Sequence, residues 1–192
     1  MALGIKQIKK LCLANPPLIA NVSDEQFHEG HAGIDLRLGA VYTLEKGSQT
    51  ILGPSGERDT SHAKPEMILS YPEKPIGTPF ELRYEFVLME TIEKVNLPMK
   101  LIGFVWPRAT LSALGIYISG TVVHPGYQGG LIVGVRNLGP GTLLIKLGSP
   151  FLNITFFNVE GDVDPYRSGD KVQRIKHGIS EGGKQNSPNP SK

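Results

Sequence analysis

Thr121-Val122-Val123-His124-Pro125-Gly126-Tyr127-Gln128-Gly129-Gly130-Leu131-Ile132-Val133-Gly134-Val135 reads as two apolar runs on either side of a Pro-Gly turn. β-Branched residues dominate the runs, Pro125 presets one backbone angle, and Gly126 accepts a positive φ. The pattern predicts a β-hairpin with the flat ring of Tyr127 beside the turn. Working outward, Val41 to Leu44, Met67 to Tyr71 and Leu101 to Trp106 have the same length and composition. From Phe80 to Leu88, the residues Phe80, Leu82, Tyr84, Phe86 and Leu88 alternate with Glu81, Arg83, Glu85 and Val87, which predicts a strand packing that mostly apolar face on a core. Helical spacing occurs near the start, in Ile5, Ile8, Leu11 and Cys12, and Asn15-Pro16-Pro17 closes it. With too few helices to cover a parallel sheet, the expected fold class is all-β, a distorted β-barrel or sandwich behind a short N-terminal helix.

A chain of 192 residues can bury a substantial core without staples, and its single cysteine, Cys12, excludes an internal disulfide. No leader-like segment opens the chain, and no apolar run approaches the roughly 20 residues of a membrane helix. With a net charge of only +2, little favours a long polyanion. These features predict a cytoplasmic, reduced setting with neither nucleic acid nor membrane as partner. A single domain is expected over residues 1–176, followed by a disordered tail, 177–192, too poor in apolar residues to offset its ordering entropy. The polar stretch between Gly47 and Pro65 reads as a surface excursion with room for one edge strand.

Two segments carry candidate chemistry. In Pro107-Arg108-Ala109-Thr110-Leu111-Ser112, a strand end leads toward a helical turn expected at Ala113-Leu114-Gly115. Outward N–H groups there, the Arg108 fork and the Thr110 hydroxyl suit phosphate oxygens, although an ordinary junction with a solvated arginine is the simpler reading of these residues alone. At the Pro-Gly turn, a sugar can rest on Tyr127, or the ring can simply pack; His124 is the titratable group there, able to act as a base or to cap. His28 and His31 read as loop residues, since no further ligand pair lies at metal spacing. HExxH, GxSxG and the glycine-lysine phosphate loop are absent.

Taken in order, GIDLRLG (Gly33 to Gly39), ETIEKVNLP (Glu90 to Pro98), PRATLSALGI (from Pro107) and VVHPGYQGGLIVGVRN (from Val122) resemble the dCTP deaminase and dUTPase superfamily, over about residues 30 to 175. The first two segments look more like dCTP deaminase. The resemblance implies a distorted β-barrel or jelly-roll-like dUTPase fold, assembled as a homotrimer with nucleotide pockets between subunits. It implies that Arg108, Ala109 and Thr110 hold a triphosphate, Ala109 replacing a usual serine. Val123 and His124 lie beside the base, and Tyr127 supports the deoxyribose and excludes a ribose hydroxyl. Tyr166, Lys171 and Gln173 belong to a segment that closes over the triphosphate. Mg²⁺ is expected to arrive with the nucleotide, with Asp35 able to hold metal-bound water, and zinc is not expected.

Two departures concern the chemistry. The family's deaminases carry a water-activating glutamate where this chain has Gly134, and its dUTPases an aspartate where this chain has His124. The implied function is binding of dCTP or dUTP, with deamination of dCTP to dUTP and ammonia. The alternatives are hydrolysis of dUTP to dUMP and pyrophosphate, or a non-catalytic nucleotide sensor or trimeric scaffold. A shifted register would bring another acid, such as Glu93, into the pocket.

Overall fold

The apolar run from Gly33 becomes the strand around which the remaining strands are laid. The computed structural model describes residues 1–44, 51–52, 54, 58–59, 65–83 and 85–164. Its elements are α1 (Ile5–Cys12), β1 (Ile19–Ala20), a 3-10 turn (Asp24–Gln26), β2 (Gly33–Leu44), β3 (Ile51–Leu52), β4 (Arg58–Asp59), β5 (Pro65–Ser70) and β6 (Pro79–Leu82). They continue with β7 (Phe86–Asn96), β8 (Leu101–Pro107), α2 (Ala109–Ala113), β9 (Ile116–Ile118), β10 (Thr121–Val123), β11 (Gln128–Asn137), β12 (Leu143–Lys146) and β13 (Pro150–Asn158).

Strands β10-β8-β13-β2-β7-β11-β9 form one sheet in that order, with β5 also on β2 and β1 also on β7. All pairings are antiparallel. Along one edge β2 meets first β13 and then β5; along the other it meets β7. Both edges of β2 are therefore paired, and Ile34, Leu36, Leu38 and Val41 join Phe151, Ile154 and Phe156 in the core. The N-terminal helix forms as its spacing predicts: Ile5 and Ile8 are buried, Leu11 and Cys12 pack against the same core, and Lys9 and Lys10 occupy the last turn, where cations oppose the helix dipole. No helix among the described residues is long and apolar enough to cross a membrane.

Three local expectations are corrected. Phe80 to Leu88 is not one strand: β6 ends at Leu82 and pairs with β12, and β7 starts at Phe86 in a different sheet. The break resets the alternation, so Val87, Met89 and Val95 face the core while Phe86 faces outward, 43% exposed. Tyr84 lies outside the described residues. The Pro-Gly turn forms, with Gly126 at φ 81°, but no hairpin follows, because β10 pairs with β8 and β11 with β7 and β9. The turn is instead tied to the end of β7, Gly126 N–H donating to Leu97 O (2.9 Å) and Leu97 N–H to Tyr127 O (2.8 Å). Finally, the helical turn occupies Ala109–Ala113 and is over by Gly115, whose φ of 80° and close approach to Gly139 end it.

Glu93 is fully buried, and the core accounts for it. Its carboxylate accepts from Arg37 Nε (2.6 Å), Arg37 N (2.8 Å) and Gln26 Nε2 (2.9 Å), while Arg37 also donates to Asn21 O (2.7 Å). A buried charge is tolerated when its lone pairs are filled in this way. Glu93 therefore does not reach a pocket, and the shifted-register reading fails at this residue. The tail from 177 and most of the Gly47 to Pro65 excursion lie outside the described residues; within the excursion β3 pairs with β4.

Candidate functional site

Strand β8 carries the two halves of the candidate site at its two ends. At its C-terminal end the chain turns out of the sheet: Arg108 is the extended residue before α2, and its N–H donates to Phe151 O (3.1 Å). Ala109 and Thr110 follow, both exposed, in the first turn of α2, ahead of Leu111 and Ser112, whose N–H groups donate to Arg108 O. The Arg108 guanidinium reaches back to β2, with Nε 3.3 Å from Asp35 Oδ2. Asp35 is 7% exposed, and its other oxygen accepts from Asn153 Nδ2 at 3.0 Å, Asn153 being its register partner on β13. Arg108 is thereby aimed, while remaining partly open to solvent. Such an arrangement orients a cation for an anionic group without burying it.

At the other end, β10 lies against β8 with Val123 opposite Gly103 and Thr121 opposite Val105. Thr121, Val122, Val123, His124 and Tyr127 line a narrow recess closed by Leu131 and Ile132. The recess adjoins an open cleft of about 580 Å³ lined by Phe104, Val105, Trp106, Gly120, Thr121, Val122 and His124. His124 stands in both, at the mouth, and is exposed; Val123 is buried. Tyr127 is only 3% exposed, its hydroxyl donating to Gly130 O (2.5 Å), so its ring forms part of the inner wall and does not project into solvent. The exposed indole of Trp106 supplies an apolar wall that the sequence did not single out.

The structure thus gathers Val123, His124 and Tyr127 in one place and Arg108, Ala109, Thr110 and Asp35 in another. From Gly103, opposite Val123, to Arg108 is five residues of strand, about 16 Å at a strand's rise per residue. Tyr166, Lys171 and Gln173 lie outside the described residues.

Position 134 has a specific environment. Gly134 shares the outward face of β11 with Ile132, and its N–H donates to Ser119 Oγ (3.0 Å), while Ser119 N–H donates to Gly134 O (2.9 Å). A Cβ built on Gly134 would stand 2.8 Å from both Cε2 and Cζ of Phe86. The ring of Phe86 lies where a side chain at 134 would begin. Neither Phe86 nor Ser119 announces this in sequence, because the contact depends on the register between β7, β11 and β9.

Among the described residues no three His, Cys, Asp or Glu side chains gather as a metal site. His28 and His31 sit in a loop with their rings 5.3 Å apart. Among the described residues each oxygen of Asp35 has a protein contact, Oδ2 with Arg108 and Oδ1 with Asn153.

Known proteins place this arrangement in a family context. A model of the dCTP deaminase-like family matches residues 2–159. A dCTP deaminase of Pyrobaculum arsenaticum is 32% identical over 129 residues, 67% of this chain and 69% of that protein. A dCTP deaminase of Pyrobaculum calidifontis is 29% identical over 174 residues, covering 91% and 93%. Among solved structures, the 2'-deoxycytidine 5'-triphosphate deaminase from Agrobacterium tumefaciens superposes with a TM-score of 0.60 at 17% identity over 81% of this chain, a likeness of fold. The present chain spans about half of that protein, 47%.

Proposed function

The chain belongs to the dCTP deaminase-like family, and from that premise we propose that it binds a pyrimidine deoxynucleoside triphosphate, dCTP foremost, and that its pocket serves the deamination of dCTP to dUTP and ammonia. The observation that carries the reading is the open cleft of about 580 Å³ beside the Pro-Gly turn, with His124 at its mouth and Val123 and Tyr127 on the adjoining inner wall. In this reading the base enters beside Val123 and His124, and the deoxyribose lies against the wall that Tyr127 helps to form, leaving no room for a 2'-hydroxyl. The triphosphate needs Arg108 and the exposed Thr110, which one copy holds about 16 Å away along β8. A second copy supplies them, as the homotrimer of the family would, with Tyr166, Lys171 and Gln173 closing over the phosphates. Mg²⁺ enters as the counter-ion of the triphosphate, which neutralises it without a protein cage. A reduced cytoplasmic setting accords with the free Cys12.

Deamination requires a proton to leave the attacking water and another to reach the departing amine. Gly134 has no group for either transfer, which leaves His124 at the cleft mouth as the candidate. The contact between Gly134 and Phe86 favours a second reading, a nucleotide-binding sensor that has given up turnover, since the space of an acid–base side chain is taken by an aromatic ring. Incubation of the purified chain with Mg²⁺ and either dCTP or dUTP, with chromatographic separation of products, decides between them. Appearance of dUTP from dCTP supports the deaminase, and conversion of dUTP to dUMP turns the assignment to the diphosphatase. Binding with no product in either incubation supports the sensor.

A further inference from the structure

Tryptophan is usually well covered in a folded chain, yet Trp106 is 56% exposed. The residues before it on β8 have structural partners: Val105 is buried in the core, and the ring of Phe104 meets that of Phe157 edge to face, with centroids 5.5 Å apart. Among the described residues the indole has no ring partner and its N–H has no acceptor.

The surroundings hold the indole in place and keep it clear. Asn153, its register partner on β13, donates to Asp35, which in turn holds Arg108, so the strand end that presents the ring is tied across three strands. On the other side lies Gly120, where a Cβ would stand 3.8 Å from Cε3 of the indole, so a larger side chain there would grow against the ring. The indole forms one wall of the cleft of about 580 Å³, and Thr121, Val122 and His124 form the other. That volume lies within the usual range for small-molecule sites, about 300–1,000 Å³.

We propose, resting on the assignment of this cleft as the nucleotide site, that Trp106 is its stacking platform, the residue against which the face of the nucleobase lies. A bare aromatic ring suits a planar heteroaromatic partner, because offset stacking adds to the gain from the area covered. Every base has such a face, so the platform raises affinity without choosing between cytosine and uracil. Trp106 therefore selects for the presence of a base and strengthens dCTP and dUTP binding alike.

Trp106 is the only tryptophan of the chain, so its fluorescence reports this position alone. The test is titration of the full chain in Mg²⁺ with dCTP, dUTP and the base-free sodium tripolyphosphate, read in parallel by tryptophan emission and by calorimetry. Both nucleotides should quench the emission along the calorimetric isotherm, and tripolyphosphate should not. Trp106→Ala should weaken dCTP and dUTP binding by the same factor, roughly ten- to a hundred-fold, and Trp106→Phe should recover most of the loss. The phenylalanine variant keeps the test decisive if Trp106→Ala misfolds, since loss of affinity equal to that of no ring at all would speak against stacking. Calorimetric binding of dCTP with unchanged emission, or with equal affinity in Trp106→Ala, would overturn the platform and leave the nucleotide site standing. Quenching by tripolyphosphate as deep as by dCTP would also overturn it, and absence of dCTP binding would overturn the site and the platform together. A Trp106→Ala chain whose sedimentation changes while its nucleotide affinity does not would assign the indole to a contact between copies, against the proposal.

Discussion

Gly134→Ala probes the feature that separates this chain from a glutamate-bearing relative. The new methyl would lie 2.8 Å from two ring carbons of Phe86, well inside van der Waals contact, so the ring must swing away. With Phe86 43% exposed, somewhat more than half of its surface is covered. Taking about 100 Å² of a phenylalanine's usual burial, complete loss of that cover costs at most about 2.5 kcal/mol. Alanine returns about 0.5–1 kcal/mol over glycine inside a strand. The expected net destabilisation is about 1–2 kcal/mol, or a fall in Tm of about 2–8 °C for a chain of this size. In a Phe86→Ala background the clash is gone and Gly134→Ala becomes stabilising, which gives a coupling energy of about 2 kcal/mol in a double-mutant cycle. Urea unfolding of the four proteins measures it. If Gly134→Ala has the same effect in both backgrounds, the ring does not cover position 134 and the account of that position fails. The cycle also sets the terms for restoring an acid: Gly134→Glu needs Phe86→Ala beside it before ammonia release from dCTP is a fair test.

Glu93→Ala strips three donors of their acceptor and leaves Arg37 without its partner, so it should cost about 3–5 kcal/mol, seen as a lower urea midpoint with an unchanged slope; a loss below about 1 kcal/mol would mean the network is not formed. Arg108→Ala should weaken triphosphate binding by roughly ten- to a hundred-fold, the worth of a charge-assisted bond or two, while the circular dichroism spectrum stays the same; unchanged affinity would remove Arg108 from the site. Tyr42 has a folded pKa raised above its unfolded value, chiefly by burial and then by Glu90, so its contribution is complete below about pH 10 and is lost as pH rises toward the folded value. Urea midpoints measured from pH 9 to 11.5 should therefore fall more steeply for the native chain than for Tyr42→Phe, and parallel curves would refute the assignment.

How much was legible beforehand follows from how local each signal is. The opening helix and the runs at Val41, Met67, Leu101 and Leu131 carry their own periodicity, and each lies within an observed element except that β5 stops at Ser70, one residue short of Tyr71. The Pro-Gly turn was equally local, and Gly126 has the positive φ it predicts. What followed the turn was not local: whether β10 and β11 pair with each other or go to different strands depends on the whole sheet, and they diverge. Phe80 to Leu88 misled because Phe86 and Leu88 continue an apolar alternation across a break that only the pairing of β6 with β12 reveals. At the site, the turn residues and Arg108 were visible as motifs. Their separation along β8, the hold of Asp35 and Asn153 on one another, and the ring of Phe86 over Gly134 arise from register between distant strands, which no single segment encodes.

The most direct measurement is a pair of calorimetric titrations of the full chain in Mg²⁺, one with dCTP and one with CTP. The account predicts saturable binding of dCTP and at least ten-fold weaker binding of CTP, because the proposed site sets the deoxyribose against the wall formed with Tyr127. No saturable binding of dCTP, or equal affinity for CTP, would contradict the assignment of the cleft beneath the Pro-Gly turn as a deoxynucleotide site.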